Sequence, residues 1–120
     1  MPVWDVEYTD GFGAWWESLA EVEQDCVRFS VELLMNNGPN LGRPHVDTVK
    51  GSKHGNMKEL RSQCQGRPLR TFFAFDPRRS AILLIGGEKT GAKRFYEEMI
   101  PLADTLYDEH LQGLRDEGLI

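Results

Sequence analysis

The chain reads as an α+β domain: a small antiparallel β-sheet with a mixed edge and helices packed on one face. Three observations predict this. Segments with the two-residue alternation of half-buried strands open the chain and fill its middle. Segments with the 3.6-residue period of amphipathic helices flank that middle, and turn residues sit at the joints. The order strand, helices, strands, helix belongs to the α+β class. With 120 residues, the whole chain, 1–120, suits one domain.

In residues 3–8, Val3, Asp5 and Glu7 alternate with Trp4, Val6 and Tyr8, the period of a first strand. The run from Phe12 to Trp16 predicts a short helical turn. Ser18 and Glu21 read as a capping box, with Ser18 as N-cap and the Glu21 carboxylate reaching back. The helix that follows carries Leu19, Val22, Cys26, Phe29, Leu33 and Leu34 and stops at Asn36-Asn37-Gly38-Pro39. Residues 39–44 form a loop, residues 46–50 an extended segment, and Gly51 to Gly55 a flexible stretch.

Three strands are expected next, over 56–64, 69–75 and 81–85, joined as a meander by turns at Gln65-Gly66-Arg67-Pro68 and Asp76-Pro77-Arg78-Arg79. The continuous apolar run of the last predicts a well-covered strand, ended by Gly86-Gly87. From about residue 92 to Leu114, Phe95, Met99, Leu102, Leu106, Tyr107 and Leu111 share one broad helical face, which Pro101 should kink or divide.

Composition narrows the function classes. No segment has the roughly 20 apolar residues of a membrane span, and the start lacks the basic and apolar regions of an export signal, so a cytoplasmic protein is expected. Cys26 and Cys64 show neither metal-ligand spacing nor the density of a disulfide scaffold, so both are expected reduced and buried. Trp4, Trp15 and Trp16 read as core or as the base of an interaction surface. The net charge of −5 hides an uneven distribution. Residues 43–94 carry +8, whereas residues 1–42 carry −7 and residues 95–120 carry −6. Such a basic island suits phosphate binding; the competing reading is that helical acids simply pair with cations on neighbouring strands.

No P-loop, dinucleotide fingerprint, serine elbow or zinc-protease motif occurs, and His45, His54 and His110 share no ligand spacing, so no metal or cofactor is implied. What remains is a set of cations on successive strands and loops: Lys53 and His54, Lys58 and Arg61, Arg70, and Lys89. Glu59 and Arg61 share strand parity while Lys58 points the other way, so not all can line one pocket. Metal-free RNA cleavage needs a base for the 2′-hydroxyl, cations for the phosphorane and an acid for the departing 5′-oxygen. Arg, Lys, His, Glu and Tyr can supply these parts.

The ordered set Met57-Lys58-Glu59-Leu60-Arg61, Gly66-Arg67-Pro68-Leu69-Arg70-Thr71-Phe72-Phe73-Ala74-Phe75-Asp76 and Ile82-Leu83-Leu84-Ile85-Gly86-Gly87-Glu88-Lys89-Thr90, with Ala103-Asp104 on the last helix, resembles the RelE/HigB superfamily of type II toxins. The likeness is to its phage Gp49-like HigB branch and covers most of the chain. It implies a RelE-like fold and a metal-independent endoribonuclease that cuts mRNA on the ribosome. It also implies neutralisation by a HigA-like helix-turn-helix antitoxin, with operator DNA contacted only through that antitoxin and no membrane partner.

Carried over residue by residue, the resemblance puts Arg70 at the strand arginine that stabilises the scissile phosphate and Lys89 near a post-strand basic residue. Tyr96 or Phe95 falls near the late catalytic tyrosine, and His54 near a histidine that some members use. Lys58 and Arg61 match positions that hold the RNA backbone; Lys53, Lys93 and Arg94 extend that basic surface. Two departures matter: Glu59 stands where RelE proper has a catalytic lysine, and the whole chain is acidic where these toxins are commonly basic. Either Glu59 or His54 serves as the base, or activity is weak or absent. The alternatives are a non-catalytic RNA- or protein-binding module of the same fold and a ParE-like gyrase inhibitor.

Overall fold

Phe72 and Phe73 are neighbours on one strand, point to opposite faces of the sheet, and are both fully buried. A strand apolar on both faces needs cover on both, and that requirement shapes the molecule. The computed structural model describes residues 4–120. The elements run β1 (Val6–Tyr8), α1 (Asp10–Ser18), α2 (Glu21–Asn37), a 3-10 turn (Gly38–Asn40), β2 (Val46–Thr48), β3 (Lys58–Cys64), β4 (Arg67–Phe75), β5 (Ala81–Glu88) and α3 (Ala92–Asp116). One five-stranded sheet has the order β1-β5-β4-β3-β2, antiparallel except for the parallel β1–β5 edge.

The α+β class and the mixed edge are as expected, but the helices do not lie on one face. α1 and α2 cover one side, packing Phe12, Val27 and Leu34 against Leu60, Phe73 and Leu83. α3 covers the other, packing Phe95, Ile100 and Tyr107 against Met57, Phe72, Ile82 and Leu84. Two glycines mark this sandwich. A Cβ on Gly86 would lie 2.2 Å from the Trp15 ring on α1, and one on Gly87 would lie 3.0 Å from the Phe95 ring on α3. Gly86 and Gly87 therefore do not end β5, which continues through them to Glu88. They are the places where both helical layers press closest.

Several local expectations shift. Val3, expected to begin the first strand, lies outside the described residues. The Phe12–Trp16 turn is part of a nine-residue helix, because Thr9 caps it by accepting from the Phe12 N–H at 3.1 Å. Ser18 is consequently inside the last turn of α1, and its hydroxyl donates to the Trp15 carbonyl. The cap of α2 moves two residues on, where the Glu23 carboxylate accepts from the Ala20 N–H at 2.9 Å. β3 and β4 meet through the two-residue turn Gln65-Gly66, both at positive φ. Pro101 sits on the exposed side of α3 and does not divide it; the helix runs 25 residues.

The cysteines correct a second expectation. Cys26 on α2 and Cys64 at the end of β3 form a disulfide, with Cα atoms 5.8 Å apart. Their separation of 38 residues hid this, since only the packing of α2 on β3 brings them together. Loop-closure entropy predicts that replacing both with serine lowers oxidised-state stability by about 4 kcal/mol. Denaturant unfolding with and without reductant checks this, because the double variant should lose the difference between the two conditions.

Asp76 anchors the β4–β5 turn to α3. Its carboxylate accepts from the Arg78 and Ser80 N–H groups at 2.9 and 3.3 Å and from the Arg78 guanidinium at 2.8 Å, and it faces His110 Nε2 at 2.9 Å. Burial pushes this carboxyl up, but the hydrogen bonds from Arg78 and His110 outweigh it and hold it below its ordinary value. The group therefore contributes stability above the unfolded carboxylate value of about 3.9, and that stability is lost as pH falls through the depressed folded value. The melting temperature should drop on acidification below about pH 4, and Asp76→Asn should flatten that part of the profile.

Candidate active site

The β3–β4 register sets Arg61 directly opposite Arg70, and Glu59 opposite Phe72. Directly paired residues share a sheet face, so both guanidinium groups and the Glu59 carboxylate project toward α3. Two like charges side by side on a sheet are unfavourable unless an anion joins them. Glu59, two residues along β3, is that anion for Arg61. Its Oε2 accepts from Arg61 Nε and Nη2 at 3.1 and 3.0 Å, and its Oε1 accepts from the Tyr96 hydroxyl at 2.6 Å. Only 4% of Glu59 is exposed, so this carboxylate is matched by three donors.

Arg70 is placed differently. It is 9% exposed, its Nη1 donates to the Leu69 carbonyl, and its Nε lies 3.9 Å from Glu59 Oε1, too far for a hydrogen bond. Nε is one of the few buried polar side-chain atoms without a partner among the described residues. Arg70 therefore meets Glu59 across the hairpin only as a long ion pair without a hydrogen bond, and the hydrogen bonds of Glu59 go to Arg61 on its own strand and to Tyr96. A buried donor left without a partner costs roughly 1–3 kcal/mol.

Tyr96, near the start of α3, stands edge-on to Phe72 at 6.2 Å. Lys89, in the link from β5 to α3, places Nζ 5.7 Å from the Tyr96 ring centre. Burial, then the hydrogen bond and charge of Glu59, push the Tyr96 hydroxyl above its ordinary value, with Arg70 pulling partly back. The phenol thus keeps its proton at neutral pH and acts as a donor. Arg70, Arg61, Lys89, Glu59 and Tyr96 form one cluster holding two neighbouring guanidiniums, an ammonium, a carboxylate and a phenol.

The other expected residues are elsewhere. His54 Nε2 lies 2.8 Å from Asp108 Oδ1, its ring stands edge-on to Tyr107 at 4.8 Å, and Lys53 pairs with the same Asp108. Tyr107 is eleven residues beyond Tyr96 on one continuous helix, roughly 17 Å along its axis. His54 is therefore not the partner of Arg70. With Asp104 accepting from the Ser52 hydroxyl and the Lys53 N–H, these contacts fasten the glycine loop to α3. Lys58 pairs with Phe73 and faces the opposite side of the sheet. Lys93 and Arg94 are exposed in the first turn of α3, opposite Glu97 and Glu98 one turn on.

The basic island is in large part neutralised. Arg67 pairs with Glu23 and Glu88, Arg78 with Glu7 and Asp76, and Lys53 with Asp108. Acids of the flanks, Glu7, Glu23 and Asp108, take part in these pairs, and Asp76 and Glu88 of the island itself supply the rest; among the described residues Lys50, Lys58, Arg79 and Lys89 have no ion-pair partner. Sequence reasoning missed Asp47. It lies opposite Glu59 in the β2–β3 register, and its Oδ2 accepts from Arg61 Nη2 at 3.2 Å, so it holds Arg61 from the second side. The available signal was the pair of acids facing each other across two strands, which needs a cation nearby. Among the described residues no group of three His, Cys, Asp or Glu side chains is placed to hold a metal ion.

Residues 14–108 match the family model of the phage derived Gp49-like proteins. Two Mycobacterium tuberculosis proteins named as toxins are similar. HigB2 is 47% identical over 105 residues, covering 86% of this chain and 52% of HigB2. HigB3 is 48% identical over 91 residues, covering 75% of this chain and 78% of HigB3. The chain thus spans about half the length of HigB2. The crystal structure of the isolated E. coli RelE toxin superposes with a TM-score of 0.57 at 7% identity, over 81% of this chain and 96% of that one, a likeness of fold alone. The family match and the two HigB relatives agree, and the chain belongs to the phage Gp49-like family that these HigB toxins resemble, with a RelE-like fold.

Proposed function

We propose that this chain is the toxin of a type II toxin–antitoxin pair and acts as a ribosome-dependent mRNA endoribonuclease without a catalytic metal. A HigA-like helix-turn-helix antitoxin neutralises it and carries the contacts to operator DNA. The observation that carries the catalytic reading is the buried, unpartnered Nε of Arg70 beside a hydrogen-bonded Glu59–Tyr96 pair. Cleavage transfers the phosphoryl group to the adjacent 2′-oxygen: the 2′-hydroxyl loses its proton, the 2′-oxygen bonds phosphorus, and the bond to the 5′-oxygen breaks as that oxygen takes a proton. The products are a 2′,3′-cyclic phosphate and a 5′-hydroxyl. Glu59 is the carboxylate able to receive the first proton, and Tyr96 the phenol able to supply the second. Arg70 and Lys89 stabilise the charge that builds on the phosphorane.

The cluster retains function only if substrate can reach it. Arg61, a third exposed, is the entry point for the backbone, with Lys93 and Arg94 on the adjoining helical turn. Induction in a bacterial host followed by mapping of new mRNA 5′ ends tests the proposal. New ends should appear within translated reading frames and disappear when the same message lacks a start codon. Confirmed soluble expression with normal growth and no new ends would overturn it.

A further inference from the structure

Arg61 and Arg70 face more than the Glu59–Tyr96 pair. They also line a groove of 640 Å³ along β3, whose other wall is α2 and the loop before β2. That volume falls within the roughly 300–1,000 Å³ of sites for small ligands. β2 pairs with Lys58, Glu59 and Leu60, and among the described residues no strand covers the β3 edge beyond Arg61. Phe29, 57% exposed, and Val22, 43% exposed, stand seven residues apart on α2 and make an apolar wall. Gln63 and His45 bring an amide and an imidazole to the same space.

The chemistry of the lining is graded. The sheet side carries two guanidiniums, that of Arg70 with an Nε that no hydrogen bond satisfies. The α2 side carries an exposed aromatic ring and Asp25, which is already paired with Arg28 at 2.5 Å. An unpaired nucleotide has the matching sequence of groups: a phosphate for the arginines, a planar base for Phe29, and an edge of donors and acceptors for Gln63 and His45. A peptide with acidic side chains would satisfy the arginines but gives no reason for a lone exposed ring beside a side-chain amide.

We infer that this groove seats the nucleotide next to the cleaved phosphate, with Phe29 as its stacking platform and Gln63 as the residue that reads its edge. The inference rests on the endoribonuclease reading and adds to it the source of base preference. Phe29 and Gln63 are then binding and specificity residues, not participants in proton transfer.

The test uses the full chain in a reconstituted translation system, with a defined mRNA carrying each of the four nucleotides in turn beside the cleavage position. Phe29→Ala should cut roughly tenfold more slowly, the usual scale of a lost base–aromatic stack, while Phe29→Trp should restore the rate. Gln63→Ala should cut at a similar rate with a flattened nucleotide preference. Tyr8→Ala, at an exposed position on the opposite sheet edge, should match the wild type. Circular dichroism and thermal melts should be unchanged in all four, since both groove side chains are solvent-exposed. An active wild type with unaltered rate and preference in Phe29→Ala and Gln63→Ala would overturn the subsite and leave the enzyme reading standing. No cleavage by the wild type would overturn both. Normal cleavage by Phe29→Ala combined with escape from antitoxin would assign the groove to a protein partner and also overturn the subsite.

Discussion

Arg70→Ala is expected to lower mRNA cleavage about a hundredfold and to release a host from growth arrest. Removing one preorganised donor from a developing oxyanion costs about 3 kcal/mol of transition-state stabilisation. The fold should tolerate the change. Glu59 keeps its bonds to Arg61 and Tyr96 when Arg70 is gone, and what is lost is the hydrogen bond to the Leu69 carbonyl and the long ion pair with Glu59. A buried group that contributes little to stability while activity depends on it separates a catalytic role from a structural one. The comparison is Arg115→Ala, an exposed arginine in the last turn of α3, which should remain fully toxic. Equal toxicity of the two variants at equal soluble levels would refute the role of Arg70. A melting temperature lowered by many degrees in Arg70→Ala would point to structure instead.

Glu59→Gln is expected to lower kcat by a factor of roughly 100 to 10,000, the usual range for a lost general base, while KM stays the same or falls. The amide keeps the shape and one acceptor but cannot receive a proton, and it removes a negative charge from beside two arginines. Substrate phosphate should therefore bind no worse. The direction of the effect decides between two roles. If Glu59 only masks the arginines, the same substitution unmasks them and activity rises, so a more toxic Glu59→Gln would sink the assignment. Tyr96 supplies a second readout. Beyond the effect of burial, Glu59 raises the pKa of the Tyr96 hydroxyl through a hydrogen bond and charge, so in Glu59→Gln the phenol should titrate closer to its ordinary value of about 10. Ultraviolet difference titration follows this without reference to activity.

Part of the cluster was legible before any fold was known: Glu59 and Arg61 share a strand face by their spacing alone, and the family resemblance pointed to Arg70, Lys89 and Tyr96. The pairing of Arg70 with Arg61 was not, because it depends on a two-residue turn at Gln65-Gly66 where a four-residue turn over 65–68 was expected. Lys89 and Tyr96 lie at the end of the same strand and the start of the next helix, close enough in sequence to be close in space. His54 was misplaced for the opposite reason. Its glycine loop has no periodicity to orient it, and its position is set by Asp104 and Asp108, fifty residues away.

The two-sided cover of the sheet was half legible. Leu83-Leu84 and Phe72-Phe73 are adjacent apolar residues on strands, and adjacent residues on a strand cannot face one core. What they could not say is which helix lies on which side, since that depends on connections and not on local pattern. The disulfide is the clearest case. Two cysteines 38 residues apart carry no pairing signal, and only the docking of α2 on β3 brings their backbones within bridging range. The sequence by itself determined what is local: strand parity, helical faces, turn chemistry and the family to which these belong. Tertiary structure alone decided which charges neutralise one another and which stay free. Arg61, Arg67 and Arg78 look no different from Arg70 along the chain, and only packing leaves Arg70 with a buried Nε that no hydrogen bond satisfies.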